Sequence, residues 1–267
     1  MLIRTNILSC SALWDQPCHL VVSERNDFRQ TLPFPWPRLR RLLYRRADVL
    51  TANTDGVLDS LAALDGLRDP VLLPNPLPQH SGVEVAHAEM PRQGFIAVAR
   101  LVHQKGLDVL IDALAMAGGV ARDWPLTLVG EGPEREALMA QVASLQLGDR
   151  VRFLGHRTDV PHLLAQAAVF VLPSRFEGMP NALLEAMAQG LAVVVSDASP
   201  GPLEEIDHGR SGWVVPSEDV DALAQALEQL AADSSQRQRL GGTARDQVLS
   251  RDWSQLAPIW DGVLGGT

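Results

Sequence analysis

The stretch FVLPSRFEGMPNALLEAMAQGLAVVVSD, residues 170–197, decides how the chain folds. Phe170 to Leu172 is an apolar run that stops at Pro173, as a buried strand does. From Asn181 the apolar residues recur at helical spacing until Gly190 ends the pattern. Leu191 to Asp197 is apolar again and rich in valine. A strand, a helix and a second strand in immediate succession make a parallel crossover, since antiparallel neighbours need only a hairpin. Continuous rather than alternating apolar runs mean that both faces of the sheet are covered.

The same alternation runs outward in both directions. GFIAVAR, PLTLVG, VRFLG, AVFVLPS, LAVVVSD and GWVVP read as strands. Between or after them lie the helical segments GLDVLIDALAMA, PEREALMAQVASLQL, DVPHLLAQA, NALLEAMAQG and SEDVDALAQALEQLAAD, with Thr158 or Asp159 as the cap of the third. The fold class is therefore α/β, a Rossmann-like doubly wound parallel sheet, whose ligands bind outside the carboxyl ends of the strands. The N-terminal part is shorter. HLVVSER, DVLTAN and VLLPNPL read as strands, with an apolar-basic helix in RLRRLLYRR and another helix after DVLTAN. The polar, patternless residues that follow read as a linker. The expected organisation is a partial N-terminal Rossmann-like domain over 1–82, a linker over 83–93, a doubly wound domain over 94–250 and a final helical segment over 251–267.

Composition sets limits on function. At 267 residues the chain can hold two modest domains. Aromatic residues are 5% against 46% hydrophobic, so the core is aliphatic. A formal net charge of −9 excludes nucleic-acid binding through bulk charge and leaves phosphate recognition to a few placed cations. Cys10 and Cys18 form neither a disulfide framework nor a metal-type spacing, which points to a reduced, cytoplasmic setting. No apolar run reaches spanning length, and the N-terminus lacks the order of a secretion signal.

Three strand-to-helix loops carry candidate chemistry. In PSRFEGMPNALLEAM, Pro180 suits the first helical position, and the N–H groups around Gly178 to Asn181 favour phosphate or sugar oxygens. Glu177 and Glu185 could accept hydrogen bonds from sugar hydroxyls; the plainer reading is a dipole-complementing acid and a solvated helix residue. In ARLVHQKG, Arg100 and Lys105 flank a crossover and could neutralise a diphosphate, or could be surface cations. In LVGEGPE, Gly130 and Gly132 permit a tight turn or a close backbone approach, without the full dinucleotide fingerprint. Together the loops suit a nucleotide diphosphate bearing a sugar.

At these residues the sequence resembles the retaining glycosyltransferases of family four, which have the GT-B fold of two facing Rossmann-like domains. The likeness covers residues 94–250 through ARLVHQKG, LTLVGEGPE, VRFLGHR, PSRFEGMPNALLEAMAQG and HGRSGWVVP, and the family's E-x7-E motif matches Glu177 and Glu185. The resemblance implies that Arg100 and Lys105 hold the donor diphosphate as leaving group. It implies that Glu177, with Gly178, Met179, Pro180 and Asn181, positions the donor sugar, and that Glu185 holds the ribose. Gly130 would lie on the donor side, and Leu154 and Gly155, helped by Arg157, would face a base, with uracil the expected one. No cofactor and no metal is implied, and the acceptor would be a glycan or a lipid-linked glycan. WSQLAPIWDGVL resembles the segment that crosses back to the N-terminal domain.

Ala99 and Ala192 stand where the family has glycine and proline. The family's first βα units and their glycine-rich loop have no counterpart here. A truncated start, a partner that supplies the remainder and a remnant all fit that reading. The rival functions are accordingly a donor-binding fragment without catalysis and a nucleotide-sugar epimerase. The arginines of RLRRLLYRR could serve a peripheral contact with the inner face of a membrane, or a solvated helix face. Arg25 could face the cleft from the N-terminal side or make a structural ion pair.

Overall fold

The computed structural model describes residues 2–25, 33–77, 92–251 and 253–265, with the backbone alone at residues 2 and 250. Contacts divide the chain into two units. One comprises Met1–Pro76, Glu177–Met179 and Arg251–Thr267, the other Leu77–Phe176 and Pro180–Ser250. The expected linker over 83–93 lies outside the described residues except at Arg92 and Gln93.

The first unit contains α1 (Leu2–Ala12), β1 (Val21–Glu24), α2 (Trp36–Leu43), β2 (Val49–Ala52), α3 (Asp55–Ala62) and β3 (Val71–Leu72). Its described strands form a parallel sheet in the order β1-β2-β3. Thr54 caps α3, its side chain accepting from the Val57 N–H at 3.2 Å. VLLPNPL yields only a two-residue strand, because Pro74 and Pro76 remove the donors that would extend the ladder. Ile7, Cys10, Val22, Tyr44, Leu50 and Leu61 form the core. Inside it the Tyr44 hydroxyl donates to the fully buried Glu24 carboxylate, whose pKa burial raises.

The second unit carries, in chain order, β4 (Phe95–Val98), α4 (Leu107–Met116), β5 (Leu126–Val129), α5 (Arg135–Ser144), β6 (Val151–Phe153), α6 (Val160–Gln166), β7 (Val169–Leu172), α7 (Asn181–Ala188), β8 (Ala192–Ser196), α8 (Pro200–Glu205), β9 (Trp213–Val215), α9 (Val220–Ala232) and α10 (Ser234–Val248). A last helix, α11 (Trp253–Leu264), groups with the first unit. The six described strands form one parallel sheet in the order β6-β5-β4-β7-β8-β9.

Alternate residues of the central strands cover opposite faces. Phe95, Ala97, Leu126, Leu128, Val169, Val171, Ala192 and Val194 join the cluster that includes α4, α5 and α9. Ile96, Phe170, Leu172, Val193 and Val195 are the buried residues of the other parity, and α7 and α10 pack against β8. This is the doubly wound Rossmann-like arrangement. Successive strands step outward one way from β4 and then the other way from β7. The switch point thus lies between the carboxyl ends of β4 and β7, where such sheets bind ligands.

Two helices depart from the sequence reading. α8 and α10 are absent from it. SSQRQRLGGTARDQV is polar and contains a Gly-Gly pair that reads as a breaker. The structure uses Gly241 for contact, since a Cβ there would lie 2.1 Å from the Gly190 carbonyl oxygen.

Candidate functional site

The loop after β4 contains Arg100, exposed, and Lys105, half-buried at the end of a short 3-10 turn. Gly106 follows in the left-handed region at φ 62° and opens α4. A Cβ at Gly106 would lie 2.1 Å from the Pro173 carbonyl oxygen, so only glycine lets this loop close against the one after β7. The Arg100 guanidinium has no hydrogen-bond or ion-pair partner among the described residues.

The loop after β7 is tied to the first at several points. The Arg175 N–H donates to the Gln104 carbonyl at 2.8 Å, and Gln104 Nε2 donates to the Phe176 carbonyl at 2.9 Å. The Arg175 guanidinium donates to the His103 carbonyl at 2.7 Å and meets Asp108 with both Nη atoms, at 2.9 and 2.7 Å. Its Nε reaches Glu218 Oε1 at 2.9 Å. Burial pushes the Asp108 carboxyl up, and the Arg175 fork outweighs it, leaving the pKa below the usual carboxylate range. Hydrogen bonding to Asp108 in turn raises that of Arg175. Sequence reasoning missed this residue. Asp108 is 67 positions away, and no local pattern links the two.

The loops after β5 and β6 join the same edge. The Gly130 N–H donates to the Gly155 carbonyl at 2.8 Å, and the Leu101 N–H to the Glu131 carbonyl at 2.9 Å. A Cβ on Gly130 would lie 1.9 Å from the Ala99 carbonyl oxygen, and one on Gly132 2.2 Å from that of Leu101. At both positions a side chain would meet the backbone of the loop after β4. Leu154 is exposed and its N–H belongs to β5 through the Leu128 carbonyl. Gly155 adopts φ 68°. Arg157 is exposed and bound by Asp159 at 2.8 and 2.6 Å. Asp159 stands at the cap position of α6, yet its carboxylate bonds Arg157 rather than the helix.

Pro180 stands one position earlier than expected. At φ −77° and ψ 120° it is the extended cap residue, and helical geometry begins at Asn181. Pro180 itself offers no side-chain acceptor to the first turn of α7. Glu185 is half-buried on α7, and burial raises its pKa. The Glu177 side chain is buried, as is that of Met179; both fall in the short segment whose contacts group with the first unit.

In the first unit, Arg25 makes no ion pair with a described residue. It donates to Ser23 Oγ at 3.1 Å and to Asn75 Oδ1 at 2.7 Å. The arginines of RLRRLLYRR are not one solvated face. Arg40 is buried, and Arg46 bonds the carbonyls of Leu13, Trp14, Gln16 and Cys18 and pairs with Asp48 at 3.2 Å. Arg38, Arg41 and Arg45 stay exposed. Among the described residues no helix is long and apolar enough to cross a membrane, and no three His, Cys, Asp or Glu side chains are grouped to hold a metal.

Comparison with known proteins bears on this edge. The sequence model of the family described as "Glycosyl transferases group 1" matches residues 86–247. The lipopolysaccharide core biosynthesis glycosyltransferase LpsE of Rhizobium meliloti is 32% identical over 212 residues, 78% of this chain and 61% of that protein. The putative colanic acid biosynthesis glycosyltransferase WcaL of Salmonella typhimurium is 37% identical over 174 residues, 61% of this chain and 42% of that protein. The chain thus spans about half the length of such relatives. Among solved structures, HepE of Anabaena in complex with UDP-glucose superposes with a TM-score of 0.86 at 22% identity, over 99% of this chain and 77% of that one. TarM of S. aureus, in complex with UDP, α-GlcNAc-glycerol and fondaparinux, superposes at 0.82 with 15% identity, over 97% and 54%.

Proposed function

The chain belongs to the glycosyl transferases group 1 family, and from that membership we propose that it is a retaining glycosyltransferase, moving a hexose from a UDP-sugar to a glycan or lipid-linked acceptor in cell-envelope polysaccharide assembly. The observation that carries the reading is the junction of the loops after β4 and β7 at the switch point, sealed by the Arg175 N–H to the Gln104 carbonyl at 2.8 Å.

In this reading Arg100 and Lys105 bind the diphosphate from the β4 side, and the N-terminus of α7 faces it from the other. As the anomeric C–O bond lengthens, positive charge develops at the sugar and negative charge on the leaving diphosphate. Fixed cations and a helix dipole favour that separated state over the ground state. Removal of one such donor costs about 3–4 kcal/mol in the barrier. Glu177 with Gly178 and Asn181 positions the sugar, Glu185 takes the ribose hydroxyls, and Leu154 and Gly155 border the uracil. The acceptor enters on the leaving-group face, and its proton passes to the departing diphosphate. The reaction draws its charge stabilisation from these residues, without a cofactor or required metal. The setting is cytoplasmic; Arg38, Arg41 and Arg45 supply a contact with anionic lipid where the acceptor is lipid-linked.

The relatives' roles in lipopolysaccharide core and colanic acid synthesis support the choice of pathway class. Incubating the protein with UDP-hexoses and lipopolysaccharide-type acceptors, and reading product anomers by proton NMR, tests the proposal. The expected product keeps the donor's α configuration; an inverted anomer, or sugar isomerisation without acceptor, would refute it.

A further inference from the structure

Arg175 holds more of the carboxyl edge together than any residue singled out from sequence. Three loops meet on its side chain: the His103 carbonyl and Asp108 follow β4, Arg175 itself follows β7, and Glu218 follows β9. The side chain is largely withdrawn from solvent, with 13% of its surface exposed against 42% for Asp108 and 61% for Glu218. Glu218 adopts a left-handed φ of 62°, a conformation that disfavours a side chain, and does so where its carboxylate reaches Arg175 Nε. Neighbouring bonds continue the seam. Ser196 Oγ donates to the Ser174 carbonyl, and the Ser217 N–H donates to Asp197 Oδ1 at 2.7 Å.

We propose that Arg175 is a positioning residue: it sets the spacing between the loop that carries Arg100 and Lys105 and the loop that leads directly into Glu177. The proposal rests on the donor site described above. A planar guanidinium satisfies Asp108 bidentately and Glu218 through the remaining edge, so it fixes direction as well as distance. Lysine offers a point charge and loses that geometry. Misplacing a binding group by about 1 Å can cost on the order of a hundredfold in function. The backbone bond from the Arg175 N–H to the Gln104 carbonyl survives substitution, so the loops stay adjacent while their register relaxes. The base contacts lie on the loop after β6, and Glu185 lies a turn inside α7, away from the relaxed segment, so contacts to base and ribose are unaffected.

The test is calorimetric titration of wild type, Arg175→Ala, Arg175→Lys and Glu218→Ala with UMP, UDP and UDP-glucose. Wild type is expected to bind UDP more tightly than UMP, the difference reporting the second phosphate. In Arg175→Ala, UMP affinity should stay within about twofold, while the UDP-over-UMP advantage falls roughly tenfold or more. Arg175→Lys should recover part of that advantage, and Glu218→Ala should lose the least. A merely structural role would lower Tm and weaken all three ligands alike, and that outcome overturns the proposal. So does an unchanged UDP-over-UMP ratio in a folded variant. If Arg175→Ala does not fold, the ratio in Arg175→Lys decides the matter. A wild type that binds no uridine nucleotide refutes the donor site itself, a result distinct from unaltered binding by the variants.

Discussion

Glu185 shows how a single residue can be held in a state that weakens the unliganded fold. Burial raises its pKa above the ordinary 4.5, so the native state holds the proton more tightly than the unfolded chain. Its contribution to stability is complete below that ordinary value and is lost as the pH climbs through the raised one. Glu185→Gln removes the penalty. Thermal melts should therefore place its Tm above wild type at pH 7, with the gap closing below about pH 4.5. A lower Tm at pH 7 would contradict the assignment. UDP affinity should fall in the same variant, because an amide is a weaker partner for ribose hydroxyls than a carboxylate. In sequence, the eight-residue step from Glu177 to Glu185 singled out both acids as candidates. Arg175 was not, because its meaning lies in Asp108 and Glu218, which only the fold brings to it. Arg157 and Arg46 were visible as cations, but not their partners, Asp159 and a set of backbone carbonyls.

At the scale of elements, α7 is fixed at both ends. Its start follows the extended Pro180, and Arg92 donates to the carbonyls of Gln189 and Gly190 at 3.0 and 3.4 Å at its finish. Beside that finish runs α10, whose Gly241 lets the helix approach Gly190 and Leu191 without an intervening side chain. Gly241→Ala should therefore destabilise the protein by about 2–4 kcal/mol, read by urea unfolding, although alanine is the better helix former. A neutral or stabilising result would mean that α10 does not sit where described. The strands from β4 to β9, and the helices between them other than α8, were legible because their apolar runs keep one period each. α10 was hidden by polar composition and by a Gly-Gly pair in which Gly241 serves contact rather than a break. Pro180 was displaced by one position because proline is compatible with both the cap and the first turn, and only ψ separates them.

Across the whole molecule, an acidic chain with a net charge of −9 concentrates its proposed anion-binding groups at one edge of one sheet. That edge follows from strand order, since the reversal between β4 and β7 leaves a crevice that two crossover helices cannot fill. The alternation of strand and helix made this architecture readable in advance, whereas the bonds of Arg46 to backbone carbonyls and to Asp48 could not be read from the count of arginines in RLRRLLYRR. The central claim, that fixed cations at the switch point hold a nucleoside diphosphate, is tested most directly by calorimetric titration of UDP into wild type and Arg100→Ala at low and moderate salt. The account predicts binding to wild type that weakens with salt, and a loss of about tenfold or more in the variant, the worth of a charge-assisted hydrogen bond. Equal UDP affinity in the two proteins, both folded, would contradict it.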